Sequence, residues 1–404
     1  MRILMISPGC PFPPNNGGRI RTWGILRCLA AAGHEVSFVA FASPDEVDYA
    51  SRELPQVCRN VDLIPLVLPS LTGSVNLGAR IRALFGGLPY GVARFRKTGL
   101  RRRIERHLGQ KRVDALWFET TYPMTSVPAD SYVPVIVNNH NIEYLILNRY
   151  ITRERNPMKR GYAQIESSRL KRWEEQAWLR SDLLLACSEQ DRTVVAKRCP
   201  GHLTAVVPNA IDVEAYGPTP DPCTPTVVYA GGMDWHPNRD AVQFFVFQVM
   251  PELRRLVPNI RFVIAGRGPS AAFRRKFSEM PDVVFTGTVP DIRPELARGA
   301  VCVVPLRIGS GTRIKILEAA AMAKPIVSTR VGAEGLDFVD GNEILLADRP
   351  AEMARAVAAL LADTAARRSL GMQALRKVRS CYSLDALKTS LQKALSSLAV
   401  APQQ

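Results

Sequence analysis

Short apolar runs alternate with amphipathic segments along most of the chain. The runs at residues 3–7, 35–42 and 183–186 are rich in aliphatic and β-branched side chains, which is typical of strands buried on both faces. Between such runs, segments like residues 19–32 carry apolar side chains three or four positions apart, and this spacing predicts helices. Strands that alternate with helices predict a doubly wound parallel sheet, so we expect an α/β fold.

The alternation stops at a proline-rich stretch, residues 212–225, and then begins again. A chain of 404 residues is too long for one hydrophobic core, so we expect two Rossmann-like domains. The predicted boundaries are 1–205 for the first domain and 206–380 for the second. A C-terminal helix over 381–404 would pack back on the first domain. Two such domains face each other across a cleft, with ligands beyond the carboxyl ends of the strands.

A glycine-rich turn between an apolar strand at 301–305 and a helix at 312–323 is the strongest candidate binding element. Its small residues are Gly309, Ser310, Gly311 and Thr312. Backbone amides at the start of a helix favour phosphate oxygens. Arg313 and Lys315 add positive charge where the helix dipole favours acids, which indicates an anionic ligand. Glu318 follows one to two turns later and can accept hydrogen bonds from ligand hydroxyls.

Two further polar clusters follow predicted strands. Gly17 and Gly18 precede the first helix, and such a glycine pair allows close approach of a phosphate or an acceptor, although a simple tight turn explains it nearly as well. His140 follows the strand at 133–138 and is a candidate for proton handling or ligand contact, with a purely structural role as the alternative.

Several enzyme classes are disfavoured because their motifs are missing from the sequence. There is no G-x-x-x-x-G-K-[ST] loop, and the first strand does not lead into G-x-G-x-x-G. The chain also lacks G-x-S-x-G, H-E-x-x-H and D-x-D elements. A P-loop enzyme, a dehydrogenase, a triad or zinc hydrolase and a transferase with an acidic metal motif are therefore all disfavoured.

Taken in order, these motifs resemble the retaining glycosyltransferases of family 4, which have the GT-B fold. The matching segments are I-L-M-I-S-P at 3–8, Gly17-Gly18, His140-Asn141, V-P-N-A-I-D at 207–212, Y-A-G-G-M at 229–233, F-T-G-T-V at 285–289 and K-I-L-E-A at 315–319. The order and spacing are most similar to those of bacterial transferases of exopolysaccharide pathways, including those found beside exosortase systems.

The resemblance implies a role for each candidate residue. Glu318 would bind the donor ribose, Arg313 and Lys315 would neutralise the diphosphate leaving group, and His140 would lie beside the transferred sugar. The implied donor-binding set is Gly17, Gly18, Gly232, Thr288, Val289, Gly309, Ser310, Gly311 and Thr312. Within this set, Thr288 and Val289 match the segment that holds the nucleotide base.

The chain departs from the family pattern at two places. The first acid of the family's E-x(7)-E element should stand at position 310, where this chain has Ser310. Gly232 and Asn238 occupy the neighbourhood of the usual arginine and lysine after the first strand of the second domain. We expect Arg313 and Lys315 to supply the missing charge.

The reaction implied by the resemblance is transfer from a UDP- or GDP-linked sugar, with retention and without a metal or other cofactor. The acceptor would be a lipid-diphosphate-linked or saccharide molecule in the synthesis of exopolysaccharide or another cell-surface glycan. Two alternatives stay open: a nucleotide-sugar epimerase, and a non-catalytic nucleotide-sugar-binding protein with the same fold, which the serine at position 310 favours.

The formal net charge of +16 comes mainly from the first half of the chain and peaks in residues 79–112. No nucleic-acid-binding module accompanies this charge, so we expect no nucleic-acid partner. Leu84-Phe85 and Leu88-Pro89-Tyr90 lie within the basic segment and could enter a headgroup layer. No run is long and apolar enough to span a bilayer, and the chain opens with a strand rather than an export signal. We therefore expect a cytoplasmic protein attached peripherally to the inner face of the membrane.

Overall fold

The computed structural model describes residues 1–65, 86–96, 99–110, 113–128, 131–222 and 224–400. The chain divides into two compact units, Met1–Ala210 with Leu384–Gln404, and Ile211–Ser383. Each unit contains one parallel sheet with helices packed on it, which confirms the predicted pair of Rossmann-like α/β domains.

Both boundaries fall a few residues later than the sequence pattern predicted. The first unit continues past residue 205 to Ala210, because its last strand is paired in the sheet and Val207 and Ala210 are buried in the same core. The second unit ends at Ser383 rather than at 380. Tyr382 is buried there, and its hydroxyl oxygen accepts a hydrogen bond of 2.8 Å from the Asp337 amide.

Within the described residues, the sheet of the first unit has seven strands, all parallel, in the order β3-β2-β1-β4-β5-β6-β7. The strands are β1 (Arg2–Ser7), β2 (Glu35–Ala42), β3 (Asn60–Pro65), β4 (Ala115–Glu119), β5 (Val135–Asn138), β6 (Leu183–Ala186) and β7 (Thr204–Val206). Ile3 on β1 pairs with Val36 on one side and Ala115 on the other. The strand order reverses between β1 and β4, so their carboxyl ends flank the position where doubly wound sheets bind ligands.

Side chains of β1 alternate between two hydrophobic clusters, as the pleat of a strand requires. Leu4 and Ile6 belong to one cluster, and Ile3 and Met5 belong to the other. The helices on the sheet are α1 (Gly17–Ala31), α2 (Pro44–Glu53), α3 (Tyr90–Ala93), α4 (Leu100–Gln110), α5 (Glu143–Ile151), α6 (Pro157–Leu179) and α7 (Glu189–Arg198).

In the described part of the second unit, six parallel strands form a sheet in the order β10-β9-β8-β11-β12-β13. Its strands are β8 (Thr226–Ala230), β9 (Arg261–Ala265), β10 (Val283–Gly287), β11 (Val301–Val304), β12 (Ile326–Ser328) and β13 (Leu345–Leu346). Its helices are α8 (His236–Phe244), α9 (Met250–Leu256), α10 (Ala271–Arg274), α11 (Arg293–Ala297), α12 (Ile314–Ala321), α13 (Arg330–Ala333), α14 (Pro350–Ala362) and α15 (Thr364–Cys381).

The apolar spacing of residues 239–256 predicts one helix, but the structure interrupts it. A π-helical segment, Phe245–Val249, separates α8 from α9. Pro251 lies in the first turn of α9 and has no N–H to donate to the preceding turn, so the widened segment accommodates the break.

The last helix, α16 (Leu384–Val400), returns to the first unit. Leu387 and Leu391 are buried in the same cluster as Ile25 of α1. A Cβ atom on Gly24 would lie 3.5 Å from the side chains of Leu384 and Leu387, so a glycine at this position allows the two helices to pack closely.

The described part of the basic segment does not present the apolar residues expected to enter a membrane. Pro89 and Tyr90 are buried and Leu88 packs against the hydrophobic core, so this part of the prediction is wrong. Leu84-Phe85 lie outside the described residues. Helix α4 buries Leu100 and Ile104 and exposes Arg101, Arg102 and Arg106. Among the described residues, no helix has the length and hydropathy needed to cross a membrane.

Candidate functional site

The glycine-rich turn of the second unit connects β11 to α12. The helix begins at Ile314 rather than at 312 as the spacing predicted, because Gly311 has a positive φ of 71° and Arg313 is extended, with φ −104° and ψ 101°. The turn is enclosed, with Ser310 3% and Thr312 8% exposed. The structure therefore places Ser310, Gly311 and Thr312 before the helix, in a compact turn at the carboxyl end of β11.

Arg313 folds back over this turn. Its Nη1 donates to the carbonyl oxygen of Gly311 at 2.7 Å and also to that of Ser310. A Cβ atom on Gly309 would overlap the Arg313 guanidinium. Arg313 therefore braces the turn through the backbone, a role that its charge and position in the sequence did not reveal.

Lys315 lies one residue into α12 and makes a polar network with the first strand of the unit. Its Nζ donates to the Tyr229 hydroxyl oxygen at 2.7 Å and to Asn238 Oδ1 at 3.1 Å. The Tyr229 hydroxyl donates to the same Asn238 oxygen at 2.7 Å. Burial and the nearby charge of Arg313 lower the pKa of Lys315 to about 7, against the opposing effect of Glu318.

This network joins Lys315 to Gly232 and Asn238, the residues that lie where the family usually has an arginine and a lysine. Asn238 Nδ2 donates to the carbonyl oxygen of Gly232 at 2.8 Å. A Cβ atom on Gly231 would lie 2.9 Å from Lys315 Nζ and from Asn238 Nδ2, so a larger residue at 231 would displace the ammonium group. The ammonium of Lys315 therefore lies beside Asn238 and Gly231, at the carboxyl end of β8.

Glu318 lies one turn beyond Lys315 and is 9% exposed. Its Oε1 accepts a hydrogen bond of 3.0 Å from the hydroxyl of Tyr216, which is 102 residues earlier in the chain. Burial raises the pKa of Glu318, and the Tyr216 hydrogen bond and the charge of Lys315 oppose this effect. The guanidinium of Arg293 lies 6.0 Å from the centre of the Tyr216 ring.

Thr288 and Val289 follow β10 at the same carboxyl edge of the sheet, with Thr288 exposed and Val289 half-buried. Two strands, β9 and β8, lie between β10 and β11. At the usual spacing between neighbouring strands, the ends of β10 and β11 are therefore about 14 Å apart. The predicted donor-binding residues of this unit thus extend along one sheet edge rather than forming one tight cluster.

His140 lies in the first unit, after β5, and contacts a buried acid. Its Nε2 is 2.6 Å from Glu119 Oε2. Gly17 and Gly18 are the first two residues of α1, which begins earlier than predicted because the Asn16 side chain caps it. A Cβ atom on Gly18 would lie 3.4 Å from His140 Nδ1, so the structure brings this glycine and His140 together.

Several polar residues of these networks were not among the predicted site residues. They are Arg21, Glu119, Tyr216 and Tyr229. Glu119 had a signal in the sequence, since an acid directly follows the apolar run A-L-W-F at a strand's carboxyl end. Tyr216 lies in the proline-rich stretch, where no periodic pattern marks it. Among the described residues, no group of three or more His, Cys, Asp or Glu side chains could hold a metal ion.

Two family models match successive parts of the chain. "Glycosyltransferase Family 4" matches residues 15–215, and "Glycosyl transferases group 1" matches residues 224–363. The chain is a family 4 glycosyltransferase. The two matches correspond to the two Rossmann-like units and confirm the family to which the sequence motifs pointed.

The glycosyltransferase is similar to several known proteins. An uncharacterised 44.6 kDa protein in the cps region of Klebsiella pneumoniae is 22% identical over 360 residues, covering 86% of this chain and 87% of that protein. A phosphatidylinositol N-acetylglucosaminyltransferase component of Arabidopsis thaliana is 31% identical over 161 residues, or 38% of this chain and 35% of the relative. The structure of Anabaena Alr3699/HepE in complex with UDP and glucose has a TM-score of 0.67 at 13% identity, covering 98% of this chain and all of that one, which shows a shared fold.

Proposed function

We propose that this glycosyltransferase transfers a sugar, with retention, from a UDP- or GDP-linked donor to a lipid-linked or saccharide acceptor in exopolysaccharide or cell-surface glycan synthesis. The observation that carries the proposal is the partly buried ammonium of Lys315, held by Tyr229 and Asn238 beside an enclosed glycine-rich turn. A cation fixed in this way is suited to the charge that develops on a departing diphosphate.

The leaving group would lie between the turn and Lys315. Backbone amides around Gly309 to Thr312 and the N-terminal end of α12 favour phosphate oxygens. Because Tyr229 and Asn238 already fix the geometry of Lys315, little reorganisation is needed when the bond to the sugar breaks. Glu318, held by Tyr216, would accept hydrogen bonds from the ribose hydroxyls.

In the proposed mechanism, the acceptor hydroxyl attacks the same face of the sugar from which the diphosphate departs. The hydroxyl proton passes to the departing phosphate, so no protein nucleophile is required. Lys315 and the amides carry out the electrostatic work that a divalent cation performs in other transferases, and we therefore propose transfer without a metal ion.

The nature of the acceptor is supported by relatives rather than by the geometry. The name of the Arabidopsis relative includes phosphatidylinositol, which supports a lipid acceptor. The Klebsiella relative lies in a cps region, which supports a role in exopolysaccharide synthesis. The HepE structure with UDP and glucose supports a nucleotide-sugar donor.

A transfer assay with purified protein tests the proposal. Labelled UDP-glucose, UDP-N-acetylglucosamine and GDP-mannose would be incubated with bacterial membrane lipids, with and without EDTA. We expect labelled lipid from at least one donor, unchanged turnover in EDTA and a product whose anomeric configuration matches that of the donor. Donor conversion without an acceptor would favour the epimerase alternative. Nucleotide binding without transfer would favour the non-catalytic alternative, and inversion or loss of activity in EDTA would contradict the proposed mechanism.

Tyr216→Phe is expected to raise the KM for the donor three- to tenfold and to change kcat less. The variant removes the hydroxyl that orients Glu318 and leaves the ring in place, and a hydrogen bond to a charged group contributes about 1.5–3 kcal/mol. Initial rates over a range of donor concentrations, with calorimetry of UDP and GDP binding, provide the measurement. Tyr382→Phe is the matched control, because its buried hydroxyl contacts Asp337 instead. Equal effects of the two variants on donor KM would refute the role of Tyr216.

We also propose peripheral contact between the first unit and the anionic inner face of the cytoplasmic membrane. Arg102→Glu combined with Arg106→Glu reverses two exposed charges on α4 and is expected to weaken binding to vesicles that contain phosphatidylglycerol at least tenfold. Sedimentation with vesicles measures the effect. Arg368→Glu with Arg376→Glu makes the same charge change on α15 and serves as the control. Binding that is insensitive to the α4 substitutions and to salt would count against this contact.

A further inference from the structure

Glu119 is a carboxylate at the end of a central strand of the first unit, and its side chain is completely buried. The strand β4 lies between β1 and β5, so the acid is surrounded by sheet residues on both sides. Placing an unpaired carboxylate in such a position costs several kcal/mol, and the fold must provide donors to compensate.

In the part of the chain that the structure describes, four side chains contact the Glu119 carboxylate. The indole Nε1 of Trp117 donates to Oε1 at 2.7 Å, and Asn138 Nδ2 donates to the same oxygen at 2.9 Å. Thr22 Oγ1 donates to Oε2 at 2.7 Å, and His140 Nε2 lies 2.6 Å from Oε2. Burial would raise the pKa of Glu119, but the positive charge that His140 carries when its ring is protonated, together with the hydrogen bonds from His140, Thr22 and Asn138, outweighs this effect and lowers the pKa.

An ionised Glu119 can only accept hydrogen bonds, so His140 Nε2 must carry a proton. When the imidazole is neutral, Glu119 thereby sets its tautomer, and Nδ1 is the ring nitrogen that can accept a hydrogen bond from a ligand. Nδ1 faces the first turn of α1, since a Cβ atom on Gly18 would lie 3.4 Å from it. The His140 side chain retains 14% exposure.

A buried cation belongs to the same network. Arg21 of α1 is 2% exposed and donates to Asn138 Oδ1 at 2.6 Å through Nη2 and at 3.2 Å through Nε. Asn138 in turn donates to Glu119, so its amide links the buried cation to the buried acid. Arg21 also donates to the Val207 carbonyl oxygen at 2.9 Å and to Asn209 Oδ1 at 3.0 Å. These contacts fix Asn138 and, through it, the Glu119 carboxylate that orients His140.

We infer that Glu119 is a positioning residue for sugar transfer, which holds His140 as the Nε2–H tautomer so that Nδ1 accepts a hydrogen bond from a hydroxyl of the sugar. This inference rests on the proposed function, because it assigns a partner to the exposed nitrogen of His140. The same arrangement predicts specificity for the sugar, because an acceptor nitrogen binds a hydroxyl group and not a methoxy group at the same position.

Glu119→Gln tests the inference without changing the size of the side chain. A glutamine can donate its amide hydrogens to His140 Nε2, which favours the opposite tautomer and turns Nδ1 from an acceptor into a donor. We expect kcat for donor turnover to fall at least tenfold, with the Kd for UDP or GDP, whichever the wild type uses, unchanged within twofold. Two-bond ¹⁵N NMR of the imidazole should show Nε2–H in the wild type and Nδ1–H in the variant.

The NMR and kinetic measurements distinguish a failure of the Glu119 inference from a failure of the proposed function. A wild-type His140 that carries a proton on Nδ1 at pH 7.5, either as the Nδ1–H tautomer or as the imidazolium, would overturn the inference directly, even if the variant did not fold. Wild-type turnover in Glu119→Gln with a changed tautomer would also overturn it. The double variant Glu119→Gln/His140→Phe should lose no more activity than His140→Phe alone, and a further loss would show that Glu119 does not act through His140. If the wild-type protein transfers no sugar from any donor, the proposed function fails, whereas the NMR result still reports on the pair.

Discussion

Lys315→Ala is expected to lower the turnover of sugar transfer at least tenfold, which corresponds to about 1.4 kcal/mol of transition-state stabilisation. The ammonium of Lys315 is fixed by Tyr229 and Asn238 and faces the place proposed for the departing diphosphate. Removing one preorganised group that stabilises developing charge often lowers kcat a hundredfold or more, so a tenfold decrease is the smallest that we expect. Steady-state kinetics with the active donor measures the effect.

The lowered pKa of Lys315 predicts a specific pH dependence. Burial and Arg313 hold the pKa near 7 in the free protein, so the protonated fraction falls as the pH rises above 7. An anion binds the protonated form, and the affinity for a nucleoside diphosphate should therefore decrease between pH 7 and 9. The terminal phosphate, whose pKa is about 6, is already ionised over this range and adds no opposing slope. Calorimetry of UDP or GDP binding at several pH values would measure the trend.

Lys315→Met removes the charge and keeps most of the side-chain volume, so its nucleotide affinity should be lower and nearly independent of pH. Lys324→Ala is the matched control. Lys324 is a buried lysine of the second unit whose pKa is also lowered by burial, but its Nζ donates to the carbonyl oxygen of Ala297. Turnover in Lys315→Met near that of the wild type, or a slope with pH that survives the substitution, would remove Lys315 from the proposed site.

Glu318→Ala is expected to lower kcat/KM for the donor at least tenfold. The Glu318 carboxylate is buried, and its one hydrogen-bond partner among the described residues is the Tyr216 hydroxyl, which leaves acceptor capacity for hydroxyls of a bound ribose. A site built to bind hydroxyl groups discriminates strongly against ligands that lack them, because its buried polar group is then left unpaired. Binding of UDP or GDP, compared with the 2′-deoxy form of the same nucleotide, separates this role from a general loss of structure.

The wild type should prefer the ribonucleotide, and Glu318→Ala should bind both forms with similar affinity. Glu343→Ala provides the control, since Glu343 is a buried acid of the same unit whose carboxylate accepts from the Val339 amide at 2.6 Å. It should leave the preference for the ribonucleotide intact. A Glu318→Ala protein that still discriminates between the two nucleotides would show that Glu318 does not contact the ribose.

The sequence by itself determined the local structure. The strand at 183–186 was predicted with the bounds that the structure shows, because strands buried on both faces are continuous apolar runs with clear ends. The glycine-rich turn and the helix after it were also evident from composition. The chain thus carries its fold class and its main candidate binding turn in short-range patterns.

The partners of the key side chains were decided only by the tertiary structure. Lys315 meets Tyr229 across 86 residues, and Glu318 meets Tyr216 across 102. Glu119 meets His140 because β4 and β5 are neighbours and their carboxyl ends lie at the same edge of the sheet. Hydrophobic periodicity reports which face of an element is buried, and it carries no information on which buried polar groups will be opposite one another. That depends on strand order and helix packing, and these contacts set the charge and orientation of the groups proposed to act in sugar transfer.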